Sequence, residues 1–249
     1  TLIYLWESDP YYKRMRVILP ALVVLLVISA GCVQEQKAAG KEVSFVTEDS
    51  VVIKGTLYAP FEDKPVIILV HQYEQNRNQW NEFIPVILDK GYSVLAYDIR
   101  GMGQSTKMSD GSNFARPASY FDDMPRDVRA AIEFIMQQDN IDKARIGIIG
   151  ASVGGNVAYV SSGTFTQIRA AVSMSPSSER MTGSNILNFA PKRIFFMSDS
   201  SEARNTQLLH ANTQEPKQIR EYAGSGHGVA LLENSRAVAD IFEWLNSML

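Results

Sequence analysis

The hydrophobic rhythm of the chain changes repeatedly, and each change marks an element. Val66-Ile67-Ile68-Leu69-Val70 is an unbroken apolar run of strand length, opened by Pro65. Tyr92–Tyr97, Arg145–Ile149, Ile168–Met174, Lys192–Met197 and Lys217–Tyr222 are further segments of strand length. Continuous apolar runs such as the first predict strands covered on both faces. Between them the period lengthens. Trp80, Phe83, Ile84, Ile87 and Leu88 share one helical face over Trp80–Lys90, and Gly91 is placed to end that helix. Val128, Ala131, Ile132 and Ile135 do the same over Met124–Gln138, where Pro125 suits a first turn. Val153–Ser161, Glu202–Ala211 and Val229–Leu249 are the remaining predicted helices. Upstream, Val43–Val46 and Val51–Tyr58 flank the turn Glu48-Asp49-Ser50 and predict a hairpin. Asp98 to Tyr120 is a polar, glycine-rich loop. Strands alternating with helices from Val66 onward predict an α/β fold, a mostly parallel twisted sheet with helices on both faces. Neither an internal repeat nor a second domain is visible, and the folded domain is expected over residues 43–249.

The first 42 residues follow a different pattern. Lys13, Arg14 and Arg16 precede the apolar run Val17–Ala30, broken by Pro20 and Ser29, and Gly31-Cys32 follow. A basic stretch, a short apolar stretch and small residues are the three parts of an export signal. The run is about 14 residues, short of the ~20 that a spanning helix needs. Ser29-Ala30-Gly31-Cys32 resembles the lipobox of bacterial-type lipoproteins, which implies lipidation at Cys32. An uncleaved signal anchor and an unmodified signal peptide are the alternatives. Met15 opens a conventional signal sequence, so Thr1–Arg14 is set aside from fold reasoning. Residues 1–31 are thus expected to be an extension plus export signal, and 32–42 a tether. The protein is expected at the extracytoplasmic face of a membrane.

Composition narrows the chemistry. The 249 residues are 45% hydrophobic and 20% charged, enough for one sizeable core. A net charge of −3 without a recurring basic cluster makes nucleic acid an improbable partner. One cysteine and three histidines leave no intrachain disulfide and no ligand cluster of metal-binding spacing, so neither metal nor cofactor is expected.

One segment carries a specific chemistry. Gly150-Ala151-Ser152-Val153-Gly154 lies between a predicted strand and a predicted helix, the context of a nucleophile elbow. The glycines are required where strand and helix cross closely. A serine hydroxyl needs an imidazole to take its proton and a carboxylate to orient that imidazole. In this topology the order is serine, acid, histidine. His227, in Gly224-Ser225-Gly226-His227-Gly228 after the last strand, is the candidate base. Two backbone N–H groups must face the developing oxyanion. Val153, following the nucleophile, is one. Tyr73, in the loop after the first buried strand, is the other, with Gln72 as the alternative. His71 is read as a structural histidine, His210 as a surface one, and Asp98 and Arg100 as shaping a turn.

These residues, taken with Leu69-Val70-His71-Gln72, Asn76-Arg77, Asp98-Ile99-Arg100-Gly101-Met102-Gly103-Gln104-Ser105 and Arg126-Asp127-Val128, resemble the α/β-hydrolase superfamily. The likeness is to its small dienelactone-hydrolase-like and esterase members. Ser152 stands where dienelactone hydrolases carry cysteine, which points to esterase chemistry. The resemblance implies an α/β-hydrolase fold and an acid in Ser198-Asp199-Ser200-Ser201-Glu202. Asp199 is the first choice there, Glu202 the second, and the absence of a functional acid the third. Ser175–Pro191 is too short for a cap domain, so an open site is expected. Tyr73, Met102, Phe114, Tyr120, Met174 and Phe189 either line it or belong to ordinary packing. The combined expectation is a membrane-tethered carboxylic ester hydrolase acting on a small-molecule substrate. A peptidase of the same fold and a non-catalytic binding protein are the rivals.

Overall fold

The computed structural model describes residues 40–60, 62–177 and 191–249. Cys32, the apolar run before it, and Phe189 lie outside them. So does most of the Ser175–Pro191 connection.

Nine strands form one sheet in the order β1-β2-β4-β3-β6-β7-β8-β9, with β5 pairing on β2. They are β1 (Lys41–Val46), β2 (Val51–Tyr58), β3 (Lys64–Val70), β4 (Ser93–Tyr97), β5 (Lys107–Met108), β6 (Ile141–Ala151), β7 (Ile168–Met174), β8 (Ile194–Asp199) and β9 (Lys217–Tyr222). β1 and β2 form the predicted antiparallel hairpin, and β2 also runs antiparallel to β4. Every pair from β4 through β3, β6, β7 and β8 to β9 is parallel. This is the mostly parallel sheet expected of the alternating pattern.

The period of two decides the two faces. On β3, Val66, Ile68 and Val70 enter one apolar cluster, while Ile67 and Leu69 enter the other, all fully buried. α3 (Pro125–Met136), α4 (Val153–Thr164) and α5 (Ala203–Ala211) cover the first face with Val128, Val157 and Leu209. α1 (Ile84–Asp89) and α6 (Ser235–Met248) cover the second with Ile84, Ile87, Ile241 and Leu245. A short α2 (Tyr120–Asp123) precedes α3. Each fully buried aliphatic side chain is worth roughly 1.5–3 kcal/mol against exposure. The sheet is therefore held by its covering on both sides.

Two predicted helices are broken. In the Trp80–Lys90 stretch, Trp80 ends a 3-10 turn, Arg77–Trp80, and the chain becomes α-helical only at Ile84, where Pro85 sits in the first turn. Proline has no N–H to donate and is best tolerated there. Gly91 ends it in the left-handed region at φ 82°, as predicted. The Val229–Leu249 stretch is a 3-10 segment, Gly228–Glu233, followed by α6. Asn234 separates them in an extended conformation and caps α6 by accepting the Arg236 N–H. Met102, Tyr120 and Met174 are buried in the core, so they pack and do not line an open pocket.

Candidate active site

The site is built at the C-terminal ends of β3, β6, β7 and β8, the edge where open α/β sheets bind ligands. β6 runs into α4 with a single residue between them, Ser152, at φ 54° and ψ −116°. A non-glycine residue in this region stores of order 1–3 kcal/mol of strain. The surroundings enforce it. A Cβ on Gly150 would run into the Gly154 backbone, and one on Gly154 would run into the Val70 carbonyl oxygen. The Ser152 N–H donates to the Met174 carbonyl at 2.8 Å, tying the turn to β7. As the first residue of α4, Val153 has an N–H without an acceptor inside the helix.

His227 lies in the loop after β9, and its Nδ1 is 2.6 Å from Glu202 Oε1. In this contact the ring nitrogen is the donor and the carboxylate oxygen the acceptor, which leaves Nε2 as the ring nitrogen not engaged by Glu202. The imidazole remains 46% exposed. Asp199, the first choice for this contact, is elsewhere. Its Oδ1 accepts from Ser201 N–H at 2.9 Å and Ser201 Oγ at 2.7 Å. Its Oδ2 accepts from Ser225 N–H at 2.7 Å and Gly226 N–H at 3.3 Å. Hydrogen bonds from Ser201, then Ser225 and Gly226, hold its carboxyl at about 2. The cause is the 3-10 turn Ser200–Glu202, which Asp199 caps and which presents Glu202 to the imidazole. Glu202 is thus the carboxylate at His227.

The β3 loop is equally constrained. Gln72 N–H donates to Gln79 Oε1 at 3.0 Å, which engages the backbone donor of the alternative oxyanion residue. Gln72 Oε1 accepts from Val229 N–H at 2.9 Å, linking this loop to the His227 loop. Tyr73 packs its ring on Phe121 and accepts from Arg116 Nη1 at 3.0 Å. His71 is fully buried, and its Nε2 accepts from Ile99 N–H at 2.9 Å while Nδ1 lies 2.6 Å from Gln72 O. Both nitrogens are used, and burial lowers its pKa, so it is a neutral structural histidine. His210 is half-buried, edge-on to Phe196 at 5.9 Å, where the sequence suggested a surface residue. Asp98 accepts from Arg77 and from Gln104 N–H, and Arg100 pairs with Asp127 and Asp49. Both thus shape the loop. Among the described residues no group of three or more His, Cys, Asp or Glu is arranged to hold a metal, and no helix is long and apolar enough to cross a membrane.

A strand–serine–helix elbow and a carboxylate-bonded histidine after the last strand are the geometry of one fold family. Its model, described as alpha/beta hydrolase fold, matches residues 65–218. The chain belongs to the α/β-hydrolase fold family. Among curated α/β hydrolases and other relatives, it is 28% identical over 138 residues to thiohydrolase aneE of Aspergillus aculeatus, across 54% of this chain and 41% of that one. It is 32% identical over 114 residues to the bifunctional esterase/perhydrolase DCH of Acinetobacter calcoaceticus, across 45% of this chain and 36% of that one. The matches thus span well under half of each relative's length. Among solved structures it resembles the Pyrococcus furiosus esterase Pf2001, with a TM-score of 0.69 at 19% identity over 88% of this chain and 96% of that one. It also resembles the α/β hydrolase GrgF from Penicillium sp. sh18, with a TM-score of 0.69 at 15% identity over 84% and 99%.

Proposed function

We propose that this α/β hydrolase is a serine-dependent carboxylic ester hydrolase of the small, dienelactone-hydrolase-like type. The observation that carries the reading is the Glu202–His227 hydrogen bond, together with the strained serine elbow that ends β6. Ser152 Oγ attacks the ester carbonyl as His227 Nε2 takes its proton. The Nδ1–H bond to Glu202 fixes the tautomer and stabilises the imidazolium that forms. The N–H groups of Val153 and Tyr73 hold the oxyanion. His227 returns the proton to the leaving alcohol, and the acyl group stays on Ser152. Water, activated by the same imidazole, then releases the acid and restores Ser152. No redox partner enters the balance.

The esterase and thiohydrolase names among the relatives support an acyl-transfer substrate, so oxygen esters and thioesters belong in one panel. Purified protein is expected to hydrolyse short p-nitrophenyl esters, and Ser152→Ala to lose at least ~10³ of the rate. Equal rates for the two proteins would refute the proposal. Export and tethering through Cys32 are proposed with it, on the pattern Lys13–Cys32. Mass spectrometry of the native N-terminus should find a lipidated Cys32. A cleaved terminus without lipid would remove the tether, and an uncleaved one would remove lipidation at Cys32.

A further inference from the structure

The exposed imidazole of His227 takes its position from its backbone, and that backbone is held from three strand ends. Asp199 closes β8 and takes the N–H groups of Ser225 and Gly226 on one oxygen. Ser175, just past β7, takes Gly228 N–H on its Oγ at 2.9 Å. Gln72, just past β3, takes Val229 N–H. From the far side Asn234 Nδ2 donates to Ser225 Oγ at 3.0 Å. The residues on either side of His227 are therefore bonded to side chains of the sheet edge. The imidazole itself makes its bond to Glu202, a residue of a different turn.

We propose that Asp199 is a positioning residue for His227, which fixes the backbone of the base and never touches its ring. The proposal rests on the reading of His227 as the general base. Two features of Asp199 fit it for this. A carboxylate has two oxygens with about four acceptor sites, and here one oxygen orders the Glu202 turn while the other orders the His227 loop. The partners of this one residue thus set the acid and the base against each other. Asp199 is also a buried residue at the end of β8. Without it, Ser225 and Gly226 lose their acceptor, and Gly224 and Gly226, at φ 69° and 74°, leave the loop free to rearrange. A displacement of about 1 Å at a catalytic group costs ~10² in rate.

The test compares Asp199→Ala, Asp199→Asn and Glu202→Gln in the intact chain. Steady-state kinetics on p-nitrophenyl acetate is paired with hydrogen exchange at the amides of residues 225 and 226. Asp199→Ala is expected to lower kcat by about 10²-fold with KM within about twofold. It should also speed exchange at both amides. Asp199→Asn keeps one acceptor oxygen and should fall between Asp199→Ala and the parent in both readouts, which also covers a poorly folding alanine variant. Glu202→Gln should lower kcat further and leave the two amides as they are. Unchanged kcat or unchanged exchange in both Asp199 variants would overturn the proposal. So would an Asp199→Asn loss equal to that of His227→Ala beside a mild Glu202→Gln, since Asp199 would then be the acid. Absence of any Ser152-dependent turnover in the parent protein would refute the catalytic reading itself, and the positioning role with it. That outcome is separable from the others because it shows before any Asp199 variant is made.

Discussion

A carboxylate bonded to an imidazole Nδ1 sets which nitrogen is left to take a proton, so its worth is measured by removing its charge and keeping its shape. Glu202→Gln can turn its amide nitrogen to Nδ1 and stabilise the wrong tautomer. By analogy with the loss of the orienting acid in serine proteases, kcat is expected to fall by about 10³–10⁴, read on p-nitrophenyl acetate. A fall under tenfold would remove Glu202 from the reaction. Asp199 answers to a different measurement. Its folded pKa of about 2, set mainly by the Ser201 hydrogen bonds, lies below the ordinary ~3.9 of an aspartate. A group depressed in the fold stabilises it above its unfolded pKa and loses that contribution as pH falls through the folded one. The stability gap between the parent and Asp199→Asn should be constant above about pH 5 and should close as the pH approaches about 2. Chemical denaturation at stepped pH measures it, and a gap independent of pH would contradict the hydrogen-bonding account. The elbow at Ser152 and the loop that carries His227 were legible in the sequence because the glycines around them mark tight turns. The choice between Asp199 and Glu202 was not. Both stand in one serine-rich loop, and only the 3-10 turn between them decides which carboxylate meets the ring.

Elements meet most tightly where β6 and α4 cross β3. Gly154 lies against the Val70 carbonyl, so even a methyl group has to push helix and strand apart. Gly154→Ala is expected to lower stability by about 1–3 kcal/mol or more and to be read as a lowered denaturation midpoint. A midpoint equal to the parent's would mean that the crossing is looser than described. Gly228 presents the same problem to the loops, since its Cβ would meet the Gln72 amide and its φ is 61°. At this scale the strands were read well, Ile168–Met174 and Lys217–Tyr222 to the residue. The helices were mostly read long, apart from Val153–Ser161, which runs on to Thr164. Apolar spacing continues through a 3-10 turn almost as it does through an α-helix, so the Gly228–Glu233 segment carried a helical pattern without being α-helical. The two-residue β5 escaped because so short a strand has no period to detect.

Across the whole molecule, buried charge ties the outlying segments to the sheet. Arg100, fully buried, bonds Asp127 of α3 at 2.7 Å and Asp49 of the β1–β2 turn at 2.7 Å. Burial raises the Asp127 pKa, and Arg100 opposes that rise. Asp127 therefore depends on Arg100 to hold its charge, while Arg100, charged in any case, depends on Asp127 for a compensating partner. Arg77 plays a similar part between Asp98, Thr56 and Glu42. Removing one partner of a buried pair typically costs about 3–5 kcal/mol, because the other is left uncompensated. Asp127→Ala is expected to lose stability in that range, as measured by urea unfolding, and a loss below about 1 kcal/mol would show the pair to be solvated. The account as a whole depends on one atom, Ser152 Oγ, being a nucleophile made competent by its elbow and by His227. The most direct measurement is mass spectrometry of the protein after brief exposure to a fluorophosphonate. The account predicts one adduct, on the peptide carrying Ser152, with labelling strongly slowed in His227→Ala and slowed in Glu202→Gln. No adduct, or an adduct that persists in Ser152→Ala, would contradict it.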